Sequence, residues 1–389
     1  MFIKSIKIMD IFSTKGVEIL KLKIVIRMLL SVLTVTCLLL GCGRNHTENQ
    51  HTDSAADREG TEMLMPGEDI MELAPGLSVV NFEGNDGFEQ FLEQGGASSD
   101  EEVIEFLAGH LGEDTLGILF GGNPFGCSTL AATGEDGAPM FGRNFDWQIC
   151  EALIVATTPE NGYASISTVN FDFLSGTGIP VNKLPDHIQA LVSLYVPLDG
   201  MNEKGLAVAV NMIQDSGTIE QNTDRPDITT TTAVRLLLDQ ADSVDEALKL
   251  LGQYDLHASM GMMVHFAIAD RSGRSVAVEY VDHKMNVTET PVVTNFYLAE
   301  GEKQGVGTEQ SHKRFEILCG LLNEKETFSP EDMRDALSSV SKGNFGEFES
   351  TEWSIVYHQE SGRVQYYHRE NYDNVYTLAC PGTPAAGGN

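Results

Sequence analysis

A cysteine, an arginine and an aspartate at a fixed spacing form the strongest chemical pattern in this sequence. Cys127 follows Gly126, and Arg143 and Asp146 lie downstream within the stretch GRNFD. A thiol is a weak nucleophile until it loses its proton, so it needs a positive neighbour or a base. Arg143 can supply the positive charge, and no histidine lies nearby in the sequence to act as the base.

A new chain N-terminus at Cys127 would supply the missing base. A free α-amino group has a pKa near neutrality, and an amine of this kind serves N-terminal threonine nucleophiles as their base. This requires a cut between Gly126 and Cys127. Glycine suits such a cut, because it tolerates a strained backbone at the scissile bond.

Three further motifs follow in order. They are GMNEKGLAVAVN at residues 200–211, PVVTNF at 291–296 and SHKRF at 311–315. Together with the spacing from Cys127 to GRNFD, they resemble the N-terminal-nucleophile cysteine hydrolases of the choloylglycine hydrolase group, which cleave linear amide C–N bonds. Relatives include bile salt hydrolases, penicillin V acylases, N-acylethanolamine amidases and isopenicillin acyltransferases. The matches cover about half of the chain, roughly residues 127 to 320.

The resemblance implies a role for each residue of the first motif. Cys127 would be the nucleophile, and its freed amine the base. Arg143 would lie beside the thiol and lower its pKa. Asp146 would hold the α-amino group.

The later motifs supply the remaining candidate residues by the same resemblance. Asn211 would contribute to the oxyanion hole, where a fixed donor stabilises developing negative charge. Asn295 would orient the surroundings of the nucleophile, and Arg314 would complete the polar site. The family usually places its asparagine one residue further on than Asn211, which leaves Asn202 as a weaker rival.

The implied activity is hydrolysis of N-acyl amides after autoproteolysis at Gly126–Cys127, with no metal and no cofactor. Acyl transfer to an amine acceptor by the same site is an alternative, and a non-catalytic binding lipoprotein on this fold is another. Bile salts, penicillin V, homoserine lactones and fatty amides remain open as substrates. The long segment before the nucleophile resembles the amidase and acyltransferase precursors more than the bile salt enzymes.

The N-terminus predicts export. Residues 1–41 combine a basic segment with an apolar run that is too short to span a bilayer comfortably. The run ends in Leu-Leu-Gly-Cys, which resembles a bacterial lipobox with Cys42 as the lipidated residue. An ordinary secretory signal is the alternative. Residues 42–66 are polar and predict a disordered tether, so we expect a lipoprotein on the outer side of the bacterial cell membrane.

Composition excludes other classes of function. The formal net charge of −32 disfavours binding to nucleic acid, because like charges repel. The six cysteines show no CxxC pairing, so zinc is not indicated; one disulfide among the later four stays open. Four scattered histidines are interpreted as structural, namely His265, His312, His358 and His368.

The order of predicted elements indicates an α+β fold. Residues 67–126 form a pro-segment with helices, one of them capped by Ser99, and residues 127–389 form the catalytic domain. Its predicted elements are a hairpin joining 127–132 to 140–145, strands at 191–196 and 206–212, helices at 230–240, 243–252 and after Ser329, and two later hairpins. The resemblance implies a four-layer αββα Ntn-hydrolase sandwich of two antiparallel sheets. Because the cut would separate the lipid anchor from the catalytic residues, we expect a heterodimer of the processed chains, and a higher oligomer stays open.

Overall fold

Two large β-sheets with helices outside them, together with two small two-stranded sheets, make up the described part of the chain. The computed structural model describes residues 63–112, 118–120, 126–176, 181–345 and 349–383. The predicted signal peptide, Cys42 and the tether up to residue 62 lie outside these residues. At the end of the predicted tether, the Leu64 amide donates to the Thr377 carbonyl at 2.8 Å.

The strands and helices follow one another along the chain in this way. The strands are β1 (Met71–Ala74), β2 (Leu77–Gly84), β3 (Ile118–Phe120), β4 (Gly126–Thr133), β5 (Pro139–Trp147), β6 (Ala152–Pro159), β7 (Ser165–Asn170), β8 (Leu174–Gly176), β9 (Asp199–Asn202), β10 (Ala207–Met212), β11 (Asp227–Thr229), β12 (Asp255–His257), β13 (Val264–Ala269), β14 (Ser275–Val281), β15 (Lys284–Glu289), β16 (Val292–Val293), β17 (Ser350–His358), β18 (Arg363–His368) and β19 (Tyr376–Ala379). The helices are α1 (Phe88–Glu93), α2 (Asp100–Leu111), α3 (Asp186–Ser193), α4 (Thr230–Gln240), α5 (Val244–Leu251), α6 (Glu309–Glu324) and α7 (Pro330–Ser339). Within the described ranges, no helix has the length and apolar character needed to cross a membrane.

The larger sheet has nine strands in the order β1-β2-β6-β7-β9-β10-β13-β14-β15. Its neighbours pair antiparallel, except that β2 runs parallel to β6. The second sheet is antiparallel throughout, with six strands in the order β16-β4-β5-β17-β18-β19. The prediction of two antiparallel sheets is confirmed with that one parallel exception.

Four layers result from the packing of the helices. Helices α6 and α7 cover the outer face of the six-stranded sheet, and their apolar side chains form a separate core cluster there. Helices α3 and α4 cover the nine-stranded sheet, with α5 packed against α4. The inner faces of the two sheets meet where β4 contacts β10. This is the predicted αββα sandwich.

Local signals in the sequence place many of these elements correctly. Ser99 caps α2 by accepting the amide of Glu102, and Ser329 caps α7 directly before Pro330. The predicted strand at 191–196 is wrong, because its first residues belong to α3 and are buried. A short apolar run buried on all sides has no periodicity that separates helix from strand.

The segment before Cys127 is part of the main fold. Strand β2 pairs with β6 along its whole length, and Phe88 and Phe91 of α1 pack against Tyr195. Asp86 forms a buried ion pair with Arg235 of α4 at 2.8 Å. Strand pairing, aromatic packing and an ion pair thus join this segment to the rest.

Candidate active site

The hairpin of β4 and β5 sets the geometry of the site. Gly126 lies opposite Asp146, and Thr129 lies opposite Arg143. Alternate residues of a strand point to opposite faces, so Arg143 shares the inner face of the sheet with Cys127, whereas Asp146 points to the helix side. Only Arg143 therefore shares the face of the thiol, and β16 pairs with the other side of β4.

Arg143 is fully buried on the inner face beside the Cys127 thiol. Its Nε donates to Asp199 Oδ2 at 3.1 Å, and its Nη1 donates to Asn211 Oδ1 at 2.8 Å. Nη1 also reaches the carbonyl of Asn144 at 3.2 Å. These partners fix the guanidinium between the two sheets, so that its charge stays next to the thiol.

Asp199 is a buried carboxylate that the sequence analysis missed. Besides Arg143, it accepts from Trp353 Nε1 at 3.0 Å and from Tyr357 OH at 3.0 Å. It begins β9, directly before the GMNEKGL motif. The available signal in the sequence was a lone acidic residue between the apolar run that ends at Leu198 and the motif that begins at Gly200, since a carboxylate in an apolar stretch requires partners if it is buried.

On the helix side, Arg314 of α6 is the second fully buried arginine of the site. Its Nη1 donates to the Cys127 carbonyl at 2.8 Å and to Asp146 Oδ2 at 3.0 Å. Thr351 donates its hydroxyl to the other oxygen of Asp146 at 2.7 Å. Arg314 therefore connects the carboxylate opposite Gly126 with the backbone of Cys127.

Asn295 connects the nucleophile with Arg314. Its Oδ1 accepts the backbone N–H of Cys127 at 3.0 Å and Nη2 of Arg314 at 2.6 Å. Its Nδ2 donates to the Met212 carbonyl at 2.6 Å. The nitrogen that a cut before Cys127 would turn into an amine is thus already held by this side chain.

The two asparagines of the second motif have different surroundings. Asn211 is linked to the nucleophile indirectly, because its Oδ1 accepts from Arg143, which lies beside the thiol. Its Nδ2 donates to the Val293 carbonyl at 3.2 Å. Asn202 instead accepts the amides of Lys204 and Leu206 and donates to carbonyls of α4 and of the residue that follows it. Asn202 therefore shapes the turn, and Asn211 is the asparagine of this motif that contacts Arg143.

Gly126 is required for space. A Cβ placed on it would lie 2.9 Å from Asp146 Oδ2 and 3.0 Å from Lys342 Cε. Its backbone φ is not in the left-handed region, so the expected strained glycine conformation is absent here. A cavity of about 210 Å³ adjoins it, lined by Asn295 and Arg314 among others.

The electrostatics of the thiol are dominated by burial. Burial raises the pKa of Cys127 to about 11, and the charge of Arg143 is the strongest influence in the opposite direction. The thiol therefore keeps its proton at neutral pH in the uncut chain. A nearby base is needed to remove that proton.

No metal centre is indicated in the ranges that the structure describes, where no group of histidine, cysteine, aspartate or glutamate side chains could hold an ion. Cys127, Cys150, Cys319 and Cys380 are all free thiols, so the disulfide left open by the sequence does not form among them.

The αββα fold with a buried cysteine near the start of β4 is the arrangement expected of N-terminal-nucleophile hydrolases. The family described as linear amide C-N hydrolases, choloylglycine hydrolase family, matches residues 127–296. This part of the chain matches that family, and the resemblance inferred from the motifs is confirmed.

One curated relative is similar to this chain. A bile salt hydrolase/transferase of Clostridium perfringens is 27% identical over 180 residues, which are 43% of this chain and 51% of the relative. The chain thus spans about half the length of that curated relative.

Two solved structures are similar to this chain at lower identity. A conjugated bile acid hydrolase variant from C. perfringens is 19% identical with a TM-score of 0.49, over 65% of this chain and 92% of the other. Penicillin V acylase from Agrobacterium tumefaciens is 20% identical with a TM-score of 0.43, over 62% of this chain and 83% of the other.

Proposed function

We propose that this protein hydrolyses linear N-acyl amides with Cys127 as an N-terminal nucleophile, after cutting its own chain at Gly126–Cys127. The observation that carries the proposal is the pair of contacts on the Cys127 backbone. Asn295 holds its nitrogen and Arg314 holds its carbonyl oxygen, while Arg143 lies beside its thiol. Such fixed partners on all three groups of one cysteine suit a catalytic role better than a packing role.

Self-processing is the first proposed step. The Cys127 sulfur attacks the Gly126 carbonyl carbon, the C–N bond breaks, and the nitrogen leaves as the new α-amine with a proton from the thiol. Water then hydrolyses the thioester, which leaves a carboxylate on Gly126 and a free thiol on Cys127. We propose that Asp146, which lies opposite Gly126, stabilises the charged form of the new amine.

Turnover repeats this chemistry on a substrate. The α-amine takes the thiol proton, the thiolate attacks the amide carbonyl, and the protonated amine returns a proton to the departing nitrogen. A fixed amide donor from Asn211 or Asn295 stabilises the oxyanion. Water activated by the α-amine then releases the acid.

Acyl transfer to an amine is the second candidate. The name of the C. perfringens relative includes both a hydrolase and a transferase activity, and a thioester can react with either water or an amine. Product analysis with and without an added amine separates the two. An N-acylated acceptor would establish transfer, and free acid alone would establish hydrolysis.

We further propose that the protein is exported and tethered to the outer side of the cell membrane through lipid on Cys42. The lipobox sequence supports this proposal. Membrane fractionation of the full chain and of a Cys42→Ser variant tests it, with release of the variant from membranes as the expected result. A wild-type chain that stays in the cytoplasm would contradict it.

The processed halves should remain together as a heterodimer. The pairing of β2 with β6 and the Asp86–Arg235 ion pair support this, since both cross the proposed cut. After processing, size-exclusion chromatography should therefore give one peak that contains both pieces. A free 127–389 piece would contradict the heterodimer.

Mass spectrometry with a substrate panel tests the central proposal. The wild-type chain should yield a fragment that begins with Cys127, and purified enzyme should release acid from N-acyl amides such as conjugated bile salts, penicillin V or fatty amides. Cys127→Ala should remain uncut and inactive. Cys319→Ala, which changes a half-buried thiol on α6, is the matched control and should behave like wild type.

An active Cys127→Ala variant, or an uncut chain with full activity, would overturn the mechanism. A chain that is uncut, inactive on the panel and not labelled at Cys127 by a thiol-reactive amide analogue would instead identify a binding protein on this fold.

A further inference from the structure

A buried histidine and glutamate lie behind the site on the nine-stranded sheet. His265 of β13 stands directly opposite Asn211 of β10, and Glu279 belongs to the neighbouring strand β14. Both side chains are fully buried. Neither residue lies in the motifs that revealed the site. From the sequence, His265 was interpreted as structural and Glu279 was given no role.

Hydrogen bonding fixes the charge state of the pair. His265 Nδ1 lies 2.8 Å from Glu279 Oε1, and Nε2 lies 2.7 Å from the Thr294 carbonyl oxygen. A carbonyl oxygen can only accept a hydrogen bond, so Nε2 must carry a proton.

Glu279 is in addition bonded by two backbone amides. Its carboxylate oxygens accept the backbone N–H of Leu298 at 2.9 and 3.2 Å and that of Ala299 at 2.5 Å. Because these backbone donors bond both carboxylate oxygens, they favour the ionised form of Glu279. An ionised carboxylate has no proton to give to Nδ1, so Nδ1 must donate as well, and the ring is an imidazolium.

The pair forms hydrogen bonds at both ends of the short segment 294–299. The Thr294 carbonyl belongs to the peptide group that leads into Asn295, and the amides of Leu298 and Ala299 lie at the other end. Asn295 is the residue that holds the Cys127 nitrogen and Arg314.

We propose that His265 and Glu279 form a buried imidazolium–carboxylate pair that positions Asn295 for self-processing and turnover. The positioning role rests on the proposed function, whereas the charge state of the pair does not. Both are positioning residues, because they act on the reacting atoms only through the backbone on either side of Asn295. A charge-assisted pair suits this task, because such hydrogen bonds are shorter and about twice as strong as neutral ones.

Nuclear magnetic resonance tests the charge state without any change at the pair. In the full-length Cys127→Ala protein with 15N-labelled histidine, the His265 ring should show two protonated nitrogens at neutral pH, each with a slowly exchanging proton. Triple-resonance assignment identifies the ring without a further substitution. A ring with one protonated nitrogen would overturn the imidazolium.

Kinetics test the positioning role. His265→Gln keeps an amide donor but removes the charge and one of the two fixed bonds. We expect processing and kcat to fall about 100-fold, which is the effect of displacing a reacting group by about 1 Å, while KM changes little. Glu279→Gln should behave similarly, because its new N–H₂ group would face the donors of Leu298 and Ala299.

His257→Gln is the matched control. His257 bonds Asp227 through Nε2 at 2.8 Å, in the separate two-stranded sheet of β11 and β12, and its variant should keep wild-type rates. Wild-type rates in His265→Gln would overturn the positioning role.

The outcomes remain distinguishable. If the His265 variant does not fold, the resonance measurement on the Cys127→Ala protein still decides the charge state, and Glu279→Gln supplies the second kinetic test. If Cys127→Ala proves active, the proposed function and the positioning role fail together, whereas the charge state of the pair can still be confirmed.

Discussion

Two fully buried arginines flank Cys127, and they are bound in parallel ways. Arg143 binds the carboxylate of Asp199, the amide oxygen of Asn211 and a backbone carbonyl. Arg314 likewise binds a carboxylate, the amide oxygen of Asn295 and a backbone carbonyl. The two arginines differ in the part of Cys127 that each one contacts. Arg143 lies beside the thiol on the inner face of the sheet, whereas Arg314 reaches the backbone of the cysteine from the helix layer.

Under the proposed function, this difference separates two tasks at one residue. A nucleophile that is also a chain terminus must have its sulfur activated and its nitrogen placed as a base. Opposite faces of one strand allow two cations to do this without lying against each other. Each cation also has its own carboxylate, which offsets the cost of burying its charge.

The largest effect is expected from breaking the Arg143 site. Arg143→Gln leaves Asp199 as a buried charge without its cation, which should lower the free energy of unfolding by about 3–5 kcal/mol and abolish turnover. Arg143→Gln combined with Asp199→Asn should recover most of that stability but not the turnover, since the thiol still lacks its cation. Urea unfolding and amide hydrolysis measure both. A double variant with wild-type turnover would show that the arginine serves stability alone.

The Arg314 site should respond mainly in self-processing. Arg314→Gln combined with Asp146→Asn removes the cation at the Cys127 carbonyl while balancing the charge. We expect the cut at Gly126–Cys127 to slow by about 100-fold or more, as for the loss of a fixed donor at a reacting group. Mass spectrometry measures the rate at which the fragment appears. An unchanged processing rate would contradict the proposed difference between the roles of the Arg143 and Arg314 sites.

Smaller effects come from the hydroxyl groups that support each carboxylate. Tyr357→Phe removes a donor to Asp199, and Thr351→Val removes a donor to Asp146. Each loss should cost about 1.5–3 kcal/mol of unfolding free energy, the range for hydrogen bonds to charged groups. We expect Tyr357→Phe to lower kcat more than processing and Thr351→Val to do the reverse. Equal effects on both rates would mean that the two arginine sites are not separate.

The smallest expected effect is a difference in the thiol pKa. A nearby positive charge favours the thiolate, so removal of either arginine should raise the pKa of Cys127 above its value of about 11. Arg143 has the stronger lowering influence of the two, so Arg143→Gln should raise it more than Arg314→Gln. The pH midpoint for alkylation of the Cys127 peptide measures this. The reverse order would contradict the assignment of the thiol to Arg143.

Local patterns predicted much of the fold, because caps, turns and alternation act within a few residues. The Ser99 and Ser329 caps and the hairpin of β4 and β5 are examples. The apolar run at 191–196 was wrongly predicted to be a strand, since burial on every side erases the periodicity that identifies an element. Ordered motifs predicted the candidate residues of the site. They did not predict the face of the sheet on which each side chain lies, because that face depends on strand register.

The sequence by itself determined the residues at issue, namely a cysteine after a glycine with an arginine, an aspartate and later asparagines in order. Only the tertiary structure decided on which face of the sheet each of these residues lies. Register put Arg143 and Asp146 on opposite faces, and packing brought Asp199 to the first and Arg314 to the second. The physical reason is that a buried charge must find its partner across space, and partners from distant strands and helices leave no spacing in the chain to read.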